Sequence, residues 1–392
     1  MATSYATSTF GLLCFARGGQ PPSTPAAAHP PSTATLPELH LNIWERDPDR
    51  HSKNPDSFLD VGLMLDLGEH ADSIELVLPQ KMPVTSIVDL SPTIAQAQAI
   101  PAIFNESWAI AHVGSQGSDS VVYDPANGDR SFAVVSITGA ITETRHAGHD
   151  ALSISVSELI LRANAVAQLT GRDIERVYVR FRLLEFKKQY YCVGAGERAN
   201  AWWQPSWQRT EDIDFRLNVR RGAPPRLESQ IGRFLEFSKV HLFLMRSRDK
   251  DIVFQDKLFK ASRSLEDEEF WAQYSIYGTQ LSRDDSLKRV QNSLGYHWKA
   301  AGSEPVKEFG TLARFKIVEF GVGKFVAVAM IVGAMGSMLW DGTKGLYGLV
   351  TSHGSERATM TSSVEVGTAG RAANQRPAAS GVKLPTERKE GG

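Results

Sequence analysis

Whether this chain is built from strands or from helices turns on RVYVRFRLLEF, residues 176 to 186. Val177, Val179, Phe181 and Leu183 alternate with Tyr178, Arg180, Arg182 and Leu184. A period of two puts the first set on one face of a pleated strand and the second on the other. DIDFRLNVR, residues 212 to 220, repeats the pattern. Ile213, Phe215, Leu217 and Val219 take one side, and Asp214, Arg216, Asn218 and Arg220 the other. Two such strands fit together when their apolar sides share one core. Their arginine rows, Arg180/Arg182 and Arg216/Arg220, are then either a solvated sheet face or a source of phosphate contacts.

Working outward, short alternating or β-branched runs recur between Gly, Pro, Asp and Asn turns. They include LHLNIW (39 to 44), FLDVGLML (58 to 65), SIELVLP (73 to 79), PVTSIVDL (83 to 90) and RSFAVVSI (130 to 137). KVHLFLMR (239 to 246) and DIVFQ (251 to 255) continue the series. That spacing predicts antiparallel sheet. Asn127-Gly128 is a hairpin signal, since both residues tolerate positive φ. One helix is well marked at SVSELILRANAVAQLTG. Ser155 and Glu158 form a capping box, and Gly171 supplies a left-handed stop. Leu159, Ala163, Val166 and Leu169 are expected on its packed face. A second helix is expected over SLEDEEFWAQYSIYG (264 to 278), with an acidic first turn that suits the helix dipole.

The most apolar stretch is KFVAVAMIVGAMGSMLW, residues 324 to 340. Phe325 to Trp340 is 16 residues without a charge, about 24 Å as a helix. Extending to Val322, with the Lys324 amine reaching the headgroups, gives roughly 28 Å against a hydrocarbon layer of ~30 Å. Trp340 suits the opposite interface. The run is apolar all round, which predicts a transmembrane helix over 322 to 341 with membrane lipid as its partner. Ala329, Gly333 and Ser337 at four-residue spacing permit self-association. Arg314, Lys316 and Lys324 precede the run and Lys344 follows it, which places the large N-terminal domain in the cytoplasm.

Charge is uneven. Residues 37 to 170 hold 7 Lys/Arg against 18 Asp/Glu, and residues 171 to 324 hold 28 against 21. Such asymmetry is what two mutually attracting lobes, or a basic face meeting an anion, would show. The formal net charge of the whole chain is −1, and no double-stranded nucleic acid partner is expected. Two cysteines, Cys14 and Cys192, argue against a disulfide framework and exclude a cysteine-rich zinc site.

Candidate chemistry is sparse. RHAGHD (145 to 150) groups His146, His149 and Asp150, a donor set that suits zinc and hence a metal-dependent hydrolase. Gly148 speaks against a helix presenting both histidines, three residues within five positions make a poor tetrahedral bite, and a polar loop between strands is the preferred reading. Trp202, Trp203 and Trp207 crowd the proline-containing segment 189 to 209, where they either seal a sheet edge or form a recognition surface. No H-E-x-x-H, P-loop lysine or G-x-S-x-G motif occurs, so neither catalysis nor a cofactor is implied.

The expectation is therefore an α+β protein. Its mostly antiparallel, β-sandwich-like cytosolic region carries a few helices, and one C-terminal transmembrane helix follows. Residues 1 to 36 and 345 to 392 are expected to be disordered on composition, with a β-rich domain at 37 to 222 and an α/β extension or second lobe at 223 to 310. The expected function is that of a single-pass sensor or effector. Its domain binds a small anionic ligand or protein partner through Arg180, Arg182, Arg216, Arg220 and the three tryptophans. A structural scaffold is the third reading.

Overall fold

The computed structural model describes residues 11–354 except 19–35, 46–56, 69–70, 97–98, 105–107, 114–118, 127–129, 196–205, 221–222, 224, 229–233 and 321. The Asn127-Gly128 turn lies outside these residues. The fold is mixed α+β, with most of its regular structure in three open sheets. The largest has ten strands. From one edge it runs Ala261–Ser264, Ser293–Val306, Phe237–Ser247, Glu38–Trp44, Ser57–Asp66, Arg176–Phe186, Ser131–Val134, Ser120–Tyr123 and Ala109–Val113. The short Ile87–Asp89 strand pairs with Arg176–Phe186 as well. Two strand pairings are parallel: Glu38–Trp44 with Phe237–Ser247, and Arg176–Phe186 with Ser131–Val134. The two expected segments 37 to 222 and 223 to 310 thus interleave in one sheet rather than forming separate lobes.

The odd-numbered face of the central strands is the apolar one that the alternation predicts. Leu39, Leu41, Ile43, Leu59, Val61, Val177, Val179 and Phe181 share a core with residues of both four-stranded sheets. One of these sheets joins Leu13–Arg17, Ser73–Val77, His149–Ser155 and Ile141–His146. The other joins Cys192–Ala195, Ser206–Leu217, Phe309–Phe320 and Lys250–Gln255 and contributes Ile213, Phe215 and Phe315. The helix Val156–Thr170 packs Leu159 and Ala163 into the same core. Ser155 accepts from the Glu158 amide, and Gly171 stops the helix at φ 64°, as the capping signals predict. Leu169 is exposed, because at about 100° per residue it has rotated some 80° away from Leu159.

The even-numbered face is covered by helices, and here the structure departs from the expectation of a solvated arginine row. Arg180 and Arg182 are 1% and 0% exposed. Asp60, also fully buried, sits between them. Its carboxylate accepts from Arg182 Nε at 2.7 Å, Tyr274 Oη at 2.8 Å and Trp44 Nε1 at 3.1 Å. Arg180 Nε donates to Tyr274 Oη at 2.7 Å and lies 4.0 Å from Asp60 through NH2. Arg182 NH1 reaches the carbonyls of Tyr274, Ser275 and Tyr277 at 2.9 to 3.3 Å. It thereby occupies the carbonyl-rich end of the helix Glu268–Ile276, where a cation is favoured. That helix starts on Asp267, whose side chain accepts from the Phe270 amide, and buries Phe270, Trp271 and Tyr274 on the sheet.

A second buried ionic group joins the central sheet to its neighbour. Arg246 Nε lies 2.7 Å from Glu45, Lys188 lies 2.7 Å from Glu45 and 2.8 Å from Glu211, and Arg246 also bonds Glu211. Burial alone would raise the Glu211 carboxyl, but the Lys188 and Arg246 charges override it and hold the group down at about 2.

Two expectations about the chain ends are corrected. Leu13–Arg17 is a strand within the segment read as disordered, paired with Ser73–Val77 and burying Leu13, Cys14 and Phe15. Its short apolar run outweighs the polar composition around it. At the other end Val322–Gly354 is one 33-residue helix, so order continues past 345. Among the described residues no helix is long and apolar enough to cross a membrane. The uncharged portion is closed off by Lys324 and Asp341, at a length below the hydrocarbon thickness. Residues through Phe325 form one unit and those from Val326 a second.

Two measurements check the buried ionic groups. Asp60→Ala strands two arginine charges and is expected to cost about 3–5 kcal/mol in urea unfolding. Arg283→Ala, in an exposed pair with Glu269, should leave the midpoint unchanged. For Glu211 the folded value lies below the ordinary 4.5, so the stabilisation is complete above that pH and is lost as pH falls towards 2. Acid titration of the unfolding free energy should show this loss, on the order of 3 kcal/mol, and Glu211→Gln should flatten that part of the profile.

Candidate functional site

On the helix-covered face of the ten-stranded sheet lies a cavity of about 310 Å³. It is built by register. Arg180 stands opposite Gly62, Gly62 opposite His40, His40 opposite His241, and His241 opposite Lys299. One line across five strands therefore carries one guanidinium, two imidazoles and one ammonium on the same face. A Cβ at Gly62 would lie 2.3 Å from the Tyr178 hydroxyl, so any larger residue there has to displace that buried ring. That hydroxyl fills the gap between the flanking polar groups, accepting from Arg180 NH1 at 3.0 Å and lying 3.5 Å from His40 Nδ1.

Residues two positions along each strand complete the wall. Glu38 and Lys239 are opposite one another and bonded, Nζ to Oε1 at 2.9 Å, and Arg176 reaches the same oxygen at 2.9 Å. Burial raises the Glu38 carboxyl, and its two cationic partners more than reverse that, so it is ionised at neutral pH. His297 lies opposite Phe243, stacked on it at 4.0 Å between ring centres, and its Nε2 is 3.1 Å from His241 Nδ1. Lys260 and Arg263 line the remaining side. Among the described residues the lining holds five cations, Arg180, Lys239, Lys260, Arg263 and Lys299, and the carboxylate of Glu38. Such an excess around a concave surface draws anions.

The three imidazoles respond to this surrounding. Burial, then the charges on His241 and Arg180, pushes His40 well below its ordinary value. Burial and Lys299 bring His241 to about 4, and burial with His241 and Lys260 brings His297 to about 3. All three are neutral at pH 7 and carry lone pairs. A nitrogen-to-nitrogen bond between His241 and His297 requires one to donate and the other to accept, which suits two neutral rings.

Of the residues singled out from the sequence, Arg180 lines this cavity, and Arg182, Arg216, Arg220, His146, His149 and Asp150 do not. Arg182 is committed to Asp60 and the helix end. Arg216 bonds its neighbour Asp214 at 3.0 Å in another sheet, and Arg220 is exposed. Trp202 and Trp203 lie outside the described residues, and Trp207 is in the strand Ser206–Leu217 opposite Glu319. His146, His149 and Asp150 do not converge. His146 and His149 face each other across a hairpin closed by Ala147 and Gly148, both at positive φ. His146 turns inward to stack on Phe15 and bond Glu75 at 2.5 Å, while Asp150 lies 3.7 Å from Arg145 on the neighbouring strand. Alternation sends Asp150 and His149 to opposite faces.

Sequence reasoning misses the cavity histidines because they stand far apart along the chain. A signal is nonetheless there: E-L-H, K-V-H and H-W-K each set a histidine and a charge on the same beat of an alternating run. A mixed sheet with a histidine-lined, cation-rich cavity is the class that fold and site define. No protein-family model matches the chain, and no curated protein sequence does either.

Proposed function

We propose that this protein binds a small anionic ligand in the cavity beside His40 and His241 and is attached to a membrane through the apolar helix Val322–Gly354. The five cations and one carboxylate among the described lining residues of this cavity support the first half of the reading. A volume near 310 Å³ is at the small end for ligand sites. Polar backbone is not needed for recognition here: side chains on one sheet face supply both charge and hydrogen-bond donors. The second half rests on Met330, Ile331, Val332, Met335, Met338, Leu339 and Trp340. They cover successive sides of the helix and are 50 to 77% exposed. Apolar surface of that extent, with no polar side to turn to water, favours an apolar medium. The proposal assigns attachment and no crossing.

Two outcomes are expected. In calorimetric titration of the full chain, inorganic pyrophosphate or a nucleoside monophosphate binds, binding weakens as salt rises, and Lys260→Glu with Lys299→Glu weakens it at least tenfold. Absence of heat for both anions at low salt would remove the ligand half. In flotation with phosphatidylcholine vesicles the full chain rises with the lipid, whereas Ile331→Lys with Met335→Lys leaves it at the bottom of the gradient. A wild-type chain that stays at the bottom ends the membrane half.

A further inference from the structure

We infer that Glu38, His40 and His241 bind a divalent transition-metal ion in the cavity, with His297 orienting His241. One donor atom from each of the three residues lies within 4.8 Å of the other two. Ligands around a tetrahedral zinc at about 2.0–2.1 Å stand roughly 3.3 Å apart, so small side-chain rotations close the set. The backbone supplies the alignment. His40 and His241 are register partners on adjacent parallel strands, and Glu38 is two residues before His40 on the same face. One carboxylate and two imidazoles are a donor set typical of zinc and related ions that keep a coordination position for a ligand.

The surrounding groups fit as a supporting layer. His241 Nδ1 is already engaged by His297 Nε2 at 3.1 Å, and His40 Nδ1 faces the Tyr178 hydroxyl at 3.5 Å. Each ring thus has its orientation set on one side, which leaves Nε2 for the ion. Metal-bound histidines characteristically use their second nitrogen in this way. Lys239 and Arg176 both approach Glu38 through Oε1, which leaves Oε2 to the ion. Arg180 and Lys239 oppose a bare dication, while an anion bound at the open position offsets that repulsion. The inference stands without the anion reading, because the ligands are all protein side chains. If both hold, each ligand strengthens the other by the same factor.

The test uses the full chain and the metal alone. Cobalt(II) is expected to give the intense visible absorption of a low-coordinate nitrogen and oxygen site, displaced by zinc with one-to-one stoichiometry. His241→Ala and His40→Ala should abolish the band, His297→Phe should weaken metal affinity about tenfold, and His149→Ala should change nothing. Circular dichroism establishes that each variant folds. For a variant that does not, diethyl pyrocarbonate labelling of the wild-type chain replaces it: zinc should protect His241 and not His149. No band with cobalt, or a band that survives in folded His241→Ala, or equal labelling of His241 with and without zinc, overturns the inference. Pyrophosphate binding that persists after chelation leaves the anion reading intact, so the two failures are separable.

Discussion

A buried carboxylate between two buried arginines is the constraint on which the rest depends. Asp60 is enclosed on the helix-covered face of the large sheet, and the desolvation of three charges there is strongly unfavourable unless each finds partners. The sheet provides part of them, since Arg182 and Trp44 bond Asp60 and Tyr178 accepts from Arg180. Tyr274 and the terminal carbonyls of the helix Glu268–Ile276 complete the set. Docking of that helix is therefore coupled to the ion group, and the helix in turn brings the indole of Trp271 to the cavity wall. Removal of either partner leaves the other as an uncompensated charge, so the helix and the polar strand face are stable only together.

The second determinant is the parallel pairing of Glu38–Trp44 with Phe237–Ser247, strands about 200 residues apart in sequence. Parallel partners in register repeat the same beat. Glu38 meets Lys239 and His40 meets His241, so like positions on both strands build one surface. The antiparallel partner Ser293–Val306 adds His297 and Lys299 to it. An antiparallel arrangement with His40 still opposite His241 would have set Glu38 against Phe243 instead of Lys239 and dispersed the row. Site and fold are in this sense one fact: the cavity exists where the polar beats of three strands coincide.

That explains what can be read from the residues and what cannot. Alternation at 176 to 186 and at 212 to 220 locates the apolar faces correctly, because transfer of Val, Phe and Leu from water depends on the residue itself. The cap at Ser155 and the stop at Gly171 are equally local and are found as expected. The fate of the polar beat is not local. Arg182 and Arg216 occupy the same position in similar patterns, yet one is fully buried and the other partly open. Which occurs depends on whether a helix from a distant segment covers that face. The strand at Leu13–Arg17 is hidden for a related reason, since its short apolar run is ordered by pairing with the distant Ser73–Val77. His146 and His149, close in sequence, stand out more readily than His40 and His241, which are close in space.

The charge asymmetry of the chain finds its physical sense in the same geometry. The acidic stretch 37 to 170 supplies Glu38, Glu45 and Asp60, and the basic stretch 171 to 324 supplies their partners Arg176, Lys239, Arg246, Lys188 and Arg182. Attraction between the halves thus operates within and beside the large sheet, and for Asp60 with Arg182 and Glu45 with Arg246 it is fully buried, where it is far less screened than between lobes in solvent. The matching is uneven at the cavity. All five of its cations come from the basic stretch, and Glu38 alone comes from the acidic one. Elsewhere on that sheet face the chain brings a carboxylate to its buried cations; among the described residues of the cavity lining, cations outnumber carboxylates. Arg180 belongs to both arrangements, lining the cavity while its guanidinium lies 4.0 Å from Asp60, so the buried ion group and the cavity share one electrostatic surface.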